Sequence, residues 1–407
     1  MKSHLRGNLW LLGLTLLFCS VLYPAALWVI AQIPGFKDKA EGSLITDSKG
    51  HVIGSRLIAQ PFTSDAPEYF QPRPSAVSYA ANASGGTNWG ASNYALRERV
   101  ARALGPIVRY GKKAETPGAP VQPAIEEWFQ KDRYQKQPGI VAQWADMHAG
   151  SAEARVKSTG DTLKRQWKEG DKEKEPNEAF VLSWQADLPE LYKEWIAGAA
   201  YREWKAKNND VAAPSNADIA KEFFPAWSKK FPGQWPVLDD YETPAREKRK
   251  RIIGAKEGSD VQSVFFEMWR QENPDVSLED VPADMVMASG SGLDPHITLA
   301  NAEYQLKYRV AAARADKITA AFAKAKLEAS KDLTEKERKL ILDGARKALD
   351  AKAGGDLEAL IKKKIEELFE KHREAPLGGL VGVGLVNVLE LNLAVDAAMD
   401  ALVEKWG

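Results

Sequence analysis

The 407-residue chain is poor in the residues that build metal and disulfide chemistry. It has one cysteine, Cys19, so no disulfide can form within it and no cysteine-based metal cluster is possible. Its five histidines (His4, His51, His148, His296 and His372) are scattered, and no two stand at His-x-x-x-His spacing. A zinc site is not expected. There is no excess of either charge: 56 basic residues balance 56 acidic ones. A nucleic-acid partner is therefore not expected, because it calls for a basic stripe. Long uncharged runs are also scarce. The sequence has one of spanning length, Leu9 to Ile33, and a helix of that length is long enough to cross a bilayer. The apolar run continues past Pro24-Ala25-Ala26 into Leu27-Trp28-Val29-Ile30. A cleaved leader usually has a shorter apolar core ending in small residues, so a retained anchor is expected. Lys2 and Arg6 precede it, which puts the N-terminus in the cytoplasm and the bulk of the chain outside. Pro24 lacks a backbone donor and is expected to kink the helix.

What the chain does have is two loops rich in Gly, Ser and Asn. The first holds Asn82, Ser84, Gly85, Gly86, Asn88, Ser92 and Asn93. The second holds Ser289, Gly290, Ser291, Gly292, Asp294 and His296. Each reads as running into a helix start: Ser92 or Asn93 can cap a helix carrying Leu96, Val100 and Leu104, and Asp294-Pro295 reads as an N-cap followed by a first-turn proline. Thr298 can cap a helix in its turn. Consecutive backbone N–H groups at such starts attract anions. Neither loop, however, contains the G-x-x-x-x-G-K-[ST] pattern of a phosphate-binding loop. Ser289 or Ser291 with His296 and Asp294 supplies the residue types of a hydrolase, but all lie within eight positions, too near for ordinary triad geometry. Loop structuring, nucleotide binding and docking onto another protein are the readings the residues leave.

Elsewhere, Leu44-Ile45-Thr46 and Val52-Ile53 flank Asp47-Ser48-Lys49-Gly50, a hairpin with a type I turn. Nine of the 13 tryptophans lie between Arg109 and Glu272, among them Trp128, Trp144, Trp167, Trp184, Trp195 and Trp204. Aromatics in that number argue for a folded helical module rather than a linker, with a helix over Ala179–Ala206. Core packing is the simpler use of these tryptophans, and an aromatic carbohydrate- or peptide-binding surface is the sharper one. Two charge runs, Lys172–Pro176 and Arg246–Arg251, read as solvated loops or helix faces. Thr334 and Glu337 form a capping box that splits an Ala/Lys/Glu tract into a solvent-facing helical hairpin. Gly354-Gly355 ends it. Asp356 opens a helix with a stripe of Leu357, Leu360, Ile361, Ile365 and Leu368. Asn387 and Glu390 start a last helix whose apolar face is expected along Leu389, Leu393 and Ala397.

Several motifs, taken in order, resemble the C subunit of bacterial Kdp potassium-transporting ATPases, the KdpC family. They are the basic N-terminus and single apolar helix, Gly42-Ser43-Leu44-Ile45, and Gly54-Ser55-x-Leu57-Ile58-x-Gln60-x-Phe62. Then come Tyr69-Phe70-Gln71-Pro72-Arg73-Pro74-Ser75, Asn82 to Asn88, Ala288 to Ile297, Arg309-Val310-Ala311 through Arg314, and Val386-Asn387-Val388-Leu389-x-Leu391-Asn392-Leu393. The resemblance implies an α+β fold in which an anchor at 1–36 precedes an extracytoplasmic α/β domain built from 37–108, 276–316 and 358–407. A Trp-rich, mainly helical module at 109–275 and a helical arm at 317–357 interrupt it. The resemblance also implies an accessory subunit of the inner membrane that stabilises the pump and pore subunits of a high-affinity potassium transporter. It has a proposed part in ATP binding, for which the residues of the two loops are the candidates. The chain carries no Asp-Lys-Thr-Gly-Thr phosphorylation motif, which agrees with a non-catalytic role. The competing expectation is a membrane-anchored hydrolase or binding protein.

Overall fold

The computed structural model describes residues 2–47, 49–62, 66–133, 138–170, 215–242, 248–329, 333–375 and 382–406. Trp184, Trp195, Trp204, the run Lys172–Pro176 and the segment Ala179–Ala206 lie outside them. The chain divides into two compact units, one made of 1–88 with 281–407 and the other of 89–280. Among the described residues, helices combine with three antiparallel sheets, an α+β arrangement.

The first unit begins with the apolar helix. It runs as α-helix over Lys2–Leu16, widens into π-type turns over Leu17–Leu22, and resumes at Tyr23–Ala31. The wide turns end just before Pro24, whose ring clashes with the carbonyl a turn earlier and whose nitrogen donates nothing. A hairpin follows, pairing Leu44–Thr46 with Val52–Ser55. The Asp47 carboxylate accepts from the backbone N–H groups of Lys49 and His51, which closes the turn.

The core of this unit lies among four helices. One helical stretch runs from Leu299 to Ala329, with π-type turns at Leu306–Val310, and packs against Glu335–Ala353, Leu357–His372 and Val388–Trp406. Local signals set the ends. Thr298 accepts from Asn301 N–H, Thr334 and Glu337 form the reciprocal capping box, Gly354 closes in the left-handed region at φ 85°, and Asp356 accepts from Glu358 N–H. Leu357, Ile361, Ile365 and Phe369 form the buried stripe of the third helix. The arm is not wholly solvent-facing as expected. Ile318 and Leu349 join the core, because one face of each arm helix meets its neighbour. The last helix is rotated from expectation. Leu389 is buried as expected, but Leu393 is only half-buried and Ala397 exposed, while Leu391, Val395, Met399 and Leu402 are buried, since the core lies on the side of Val388 and Leu391. A three-stranded sheet holds Leu385–Asn387 between His296–Thr298 and Arg373–Glu374.

The second unit carries helices Tyr94–Leu104, Gln122–Lys131, Ile140–Met147, Ala149–Gly170, Asn216–Lys230 and Ser259–Glu272. Trp144, Phe224, Trp235 and Phe265 interlock in its core, with Trp144 and Trp235 edge to face at 4.8 Å. Aromatic pairs favour that geometry. The described residues also form an eight-pair antiparallel hairpin, Trp235–Glu242 with Lys248–Ala255. Lys248 to Arg251 thus lie on a strand rather than on a loop or helix. Each basic residue there stands opposite an acidic or aromatic one: Arg251 faces Asp239, Lys250 faces Asp240, Arg249 faces Tyr241 and Lys248 faces Glu242. Sequence periodicity does not announce this ladder.

Candidate functional site

The two loops meet within the first unit. Gly85 N–H donates to Ser291 O at 2.9 Å, and Ser84 Oγ donates to the same carbonyl at 3.2 Å. The approach is too close for side chains. A Cβ on Gly86 would lie 2.8 Å from Gly290 O, and one on Gly292, at φ +70°, would lie 2.6 Å from Val77 Cγ2. Glycine at both positions is a steric requirement. Ser75 ties the loops from a third side. Its Oγ donates to Gly292 O at 2.7 Å and accepts from the N–H groups of Val77 and Tyr79. Ser289 is buried and its N–H donates to Pro74 O. Gly290 and Ser291 are exposed, as are Asn82, Ser84 and Asn88, the last with φ 52°. Ser92 and Asn93 belong to the second unit, where Asn93 accepts from Ala95 N–H and caps Tyr94–Leu104.

Asp294 is not a helix cap. A strand, His296–Thr298, intervenes before the helix, and Thr298 does the capping. Instead Asp294 Oδ1 accepts from His296 N–H at 3.0 Å and meets His296 Nδ1 at 3.2 Å, while Oδ2 lies 3.6 Å from Arg73 Nη1. His296 Nε2 faces Glu374 Oε2 at 3.5 Å. The hydrogen bond with Asp294 raises the histidine above its ordinary value against the effect of burial, and Glu374 adds to the rise. The same bond, with Arg73 behind it, holds the Asp294 carboxyl low. Ser291 Oγ accepts from Leu293 N–H at 3.1 Å, and among the described residues no hydrogen bond joins Ser289 or Ser291 to His296. The N–H groups of Gly85 and Gly292 are committed to Ser291 and Ser289 carbonyls. Those two amides are not available to a phosphate.

A second layer, which the sequence patterns did not reveal, fixes the extended segment beneath the loops. Asn392 grips Phe70 through both backbone groups: Phe70 N–H donates to Oδ1 at 2.8 Å, and Nδ2 donates to Phe70 O at 2.9 Å. Gln305 grips the next residue in the same way, at 2.8 and 3.0 Å to Gln71 N and O. Two carboxamides thus replace a neighbouring strand for a segment whose Pro72 and Pro74 cannot join a ladder. Gln305 is held by Asn301 at 2.7 Å, and Asn301 by Asp284 at 3.0 Å. Asp284 also accepts from Thr298 N–H and Oγ1. Arg314, 2% exposed, donates to Glu68 O, pairs with Asp396 and stacks 4.8 Å from the Tyr69 ring. In the sequence Phe70, Gln71, Arg314 and Asn392 stand in the family-like motifs, but nothing there pairs them.

Residues 5–123 and 259–329 match the family model KdpC, described as the c chain of K+-transporting ATPase. Both loops fall within those ranges. The C-terminal motif Val386 to Leu393 does not. The chain is 45% identical over 107 residues to the potassium-transporting ATPase KdpC subunit of Methanosphaerula palustris, covering 26% of this chain and 56% of that one. It is 39% identical over 128 residues to the KdpC subunit of Parvibaculum lavamentivorans, covering 29% and 64%. With that of Pseudomonas putida it shares 48% over 100 residues, covering 25% and 52%. The chain therefore spans little more than half the length of these relatives.

Proposed function

We propose that this chain, whose residues 5–123 and 259–329 match the KdpC family model, is a KdpC-type accessory subunit of an ATP-driven potassium uptake pump. In this reading the helix from His4 to Ala31, fully exposed and of mean hydropathy 2.1 over its most apolar window, crosses the inner membrane with the N-terminus in the cytoplasm. The rest of the chain lies outside, stabilising the pump and pore subunits. The observation that carries the reading is the meeting of the two family-matched segments at Gly85, Ser291, Ser75 and Gly292. A rigid junction with exposed Asn82, Ser84, Gly290, Ser291 and Asn88 suits docking. The interval 124–258, which separates the matched ranges, supports an inserted module narrower than 109–275, since 109–123 and 259–275 fall inside the match.

A C-terminal alkaline phosphatase fusion tests both halves together. Cells grown in low potassium should show phosphatase activity, and the fusion should co-purify from mild detergent with a P-type ATPase and a pore subunit. An inactive phosphatase would refute the orientation. Recovery without any ATPase would refute the assembly role. Asp294→Ala should lower the recovered ATPase by freeing Arg73 and His296, whereas Ser289→Ala should leave no hydrolytic defect.

A further inference from the structure

The apolar helix does not hand over to a flexible tether. From Ala31 onward the backbone folds into one turn after another. Gln32 and Ile33 N–H donate to Val29 and Ile30 carbonyls, Phe36 and Lys37 to Ile33 O, Ala40 to Phe36 O, Glu41 to Lys37 O, Gly42 to Lys39 O, and Ser43 to Asp38 O. The last of these turns is bonded to the hairpin. Ser55 Oγ donates to Gly42 O at 2.6 Å, and Arg56 N–H donates to Ser43 O at 3.0 Å. A chain coiled in this way cannot carry the hairpin far from the helix end.

The hairpin has two unlike faces. Ile45 stands opposite Gly54, and a Cβ on Gly54 would lie 2.6 Å from Leu389 Cδ2, so this face covers the core. Leu44 and Thr46 alternate to the other face, with Val52 opposite Thr46. Among the described residues nothing covers that outer face: Leu44 is 54% exposed and Val52 58%. Leu57, just past the strand, is 58% exposed, and Ile33 and Phe36, in the turns that lead from the helix, are 46% and 53% exposed. Large apolar side chains grouped in this way on a soluble face would be a liability.

We infer that the outer face of the Leu44–Ser55 hairpin rests in the interfacial layer of the bilayer, with Leu44, Val52 and Leu57 set among phospholipid headgroups and upper acyl chains. The inference rests on the helix being membrane-spanning. The occupant is lipid because hydrogen-bonded turns hold the hairpin to the end of the exposed helix, and those turns themselves carry the exposed Ile33 and Phe36. Between residues 32 and 57 the chain carries Lys37, Lys39, Lys49 and Arg56 against Asp38, Glu41 and Asp47. Lys37 lies 3.9 Å from Glu41, and Arg56 pairs with Glu390. With charges so nearly balanced, the attraction is apolar rather than electrostatic, and it does not require anionic lipid.

Spin labels on the full chain test this. In a Cys19→Ser background, single cysteines replace Leu44, Val52 or Leu57, with Val21→Cys as the helix reference and Asn82→Cys as the aqueous one. The protein is reconstituted alone into phosphatidylcholine vesicles, with or without phosphatidylglycerol, and collision with oxygen is compared with collision with a polar nickel chelate. The hairpin labels should favour oxygen several-fold more than the label at Asn82, to the same degree in both lipids. Hairpin labels that match Asn82 while Val21 stays lipid-exposed would overturn the inference alone. A Val21 label that also reads as aqueous would overturn the membrane-spanning reading beneath it. Hairpin labels that stay aqueous in vesicles and become immobile only in an assembled complex would assign the face to a protein partner and refute the lipid.

Discussion

The two units are held together by different physics. The core of the unit 1–88 with 281–407 is largely aliphatic, with Ile297, Leu306, Ile361, Ile365 and Leu391 around Phe70 and Phe369. Its buried polar residues are Asn301, Gln305, Asn387, Asn392, Arg314 and Asp284, among others. The core of 89–280 is aromatic: Phe129, Trp144, Phe224, Trp227, Trp235, Phe265 and Trp269 pack there, with few buried polar partners. Aromatic packing depends on volume and shape. Carboxamide clamps depend on direction, because each bond forms only if donor and acceptor are aligned. The first kind of core suits a module that has only to fold. The second suits a unit that must hold an extended segment and two loops at set positions.

That contrast breaks if the aromatic core tolerates truncation. Trp235 is fully buried between Trp144, Phe224 and Phe265. Trp235→Ala should destabilise the second unit by about 3–5 kcal/mol. Peptide-resolved hydrogen exchange should show the loss in 122–147 and 216–272, with helix Leu357–His372 still protected. A uniform loss across both units would show that they do not differ as described.

The directional half is sharpened by Asn392→Leu, which keeps the volume and removes the clamp. Phe70 then retains a buried N–H and C=O without partners, a cost of about 2–4 kcal/mol from two unsatisfied groups. The Phe70 and Gln71 amides should exchange faster and the melting temperature should fall. If the variant melts like the parent, the clamp contributes nothing and the segment is held by packing alone.

The smallest effect is at His296. Its pKa is raised in the folded state, so its contribution is fully present below the unfolded value of about 6.5 and is lost as pH rises through the folded value. Asp294, held low, contributes above its unfolded value and loses that contribution only in acid. Stability should therefore drop slightly as pH rises from about 6.5 into the mildly alkaline range, by less than about 1 kcal/mol, as for other partly exposed ion pairs. Thermal melts across that range should show the drop in the parent and none in His296→Gln. An equal slope in both would place the titration elsewhere.

The clearest sequence signals were the short-range ones. Asn93, Thr298, Thr334 with Glu337, Asp356 and Asn387 all cap helices as their spacing indicates, Asn387 by accepting from Leu389 and Glu390 N–H. Caps involve neighbours two or three residues away, so composition is enough. The loops were recognisable as special, but their contact was not. Gly85 and Ser291 are about two hundred residues apart, and nothing local pairs them. Asp294-Pro295 misled because an Asx turn entering a strand has the same residues as a helix start. The last helix misled beyond Leu389, which is buried as expected: Leu393 and Ala397 continue an acceptable stripe, while the core selects the one through Leu391 and Val395.

By itself the sequence determined the apolar helix, the first hairpin, the helix boundaries near the caps, the family resemblance and the aromatic load of the middle region. Each follows from hydropathy, turn chemistry or spacing over a few residues. Tertiary structure alone decided that Asn392 and Gln305 grip Phe70 and Gln71, that Ser75 ties both loops, that His296 stands between Asp294 and Glu374, and that Lys248–Arg251 form a strand. Those outcomes depend on groups far apart in the chain. A buried donor or acceptor takes whatever partner folding brings within reach, and an unmet one is too costly to leave.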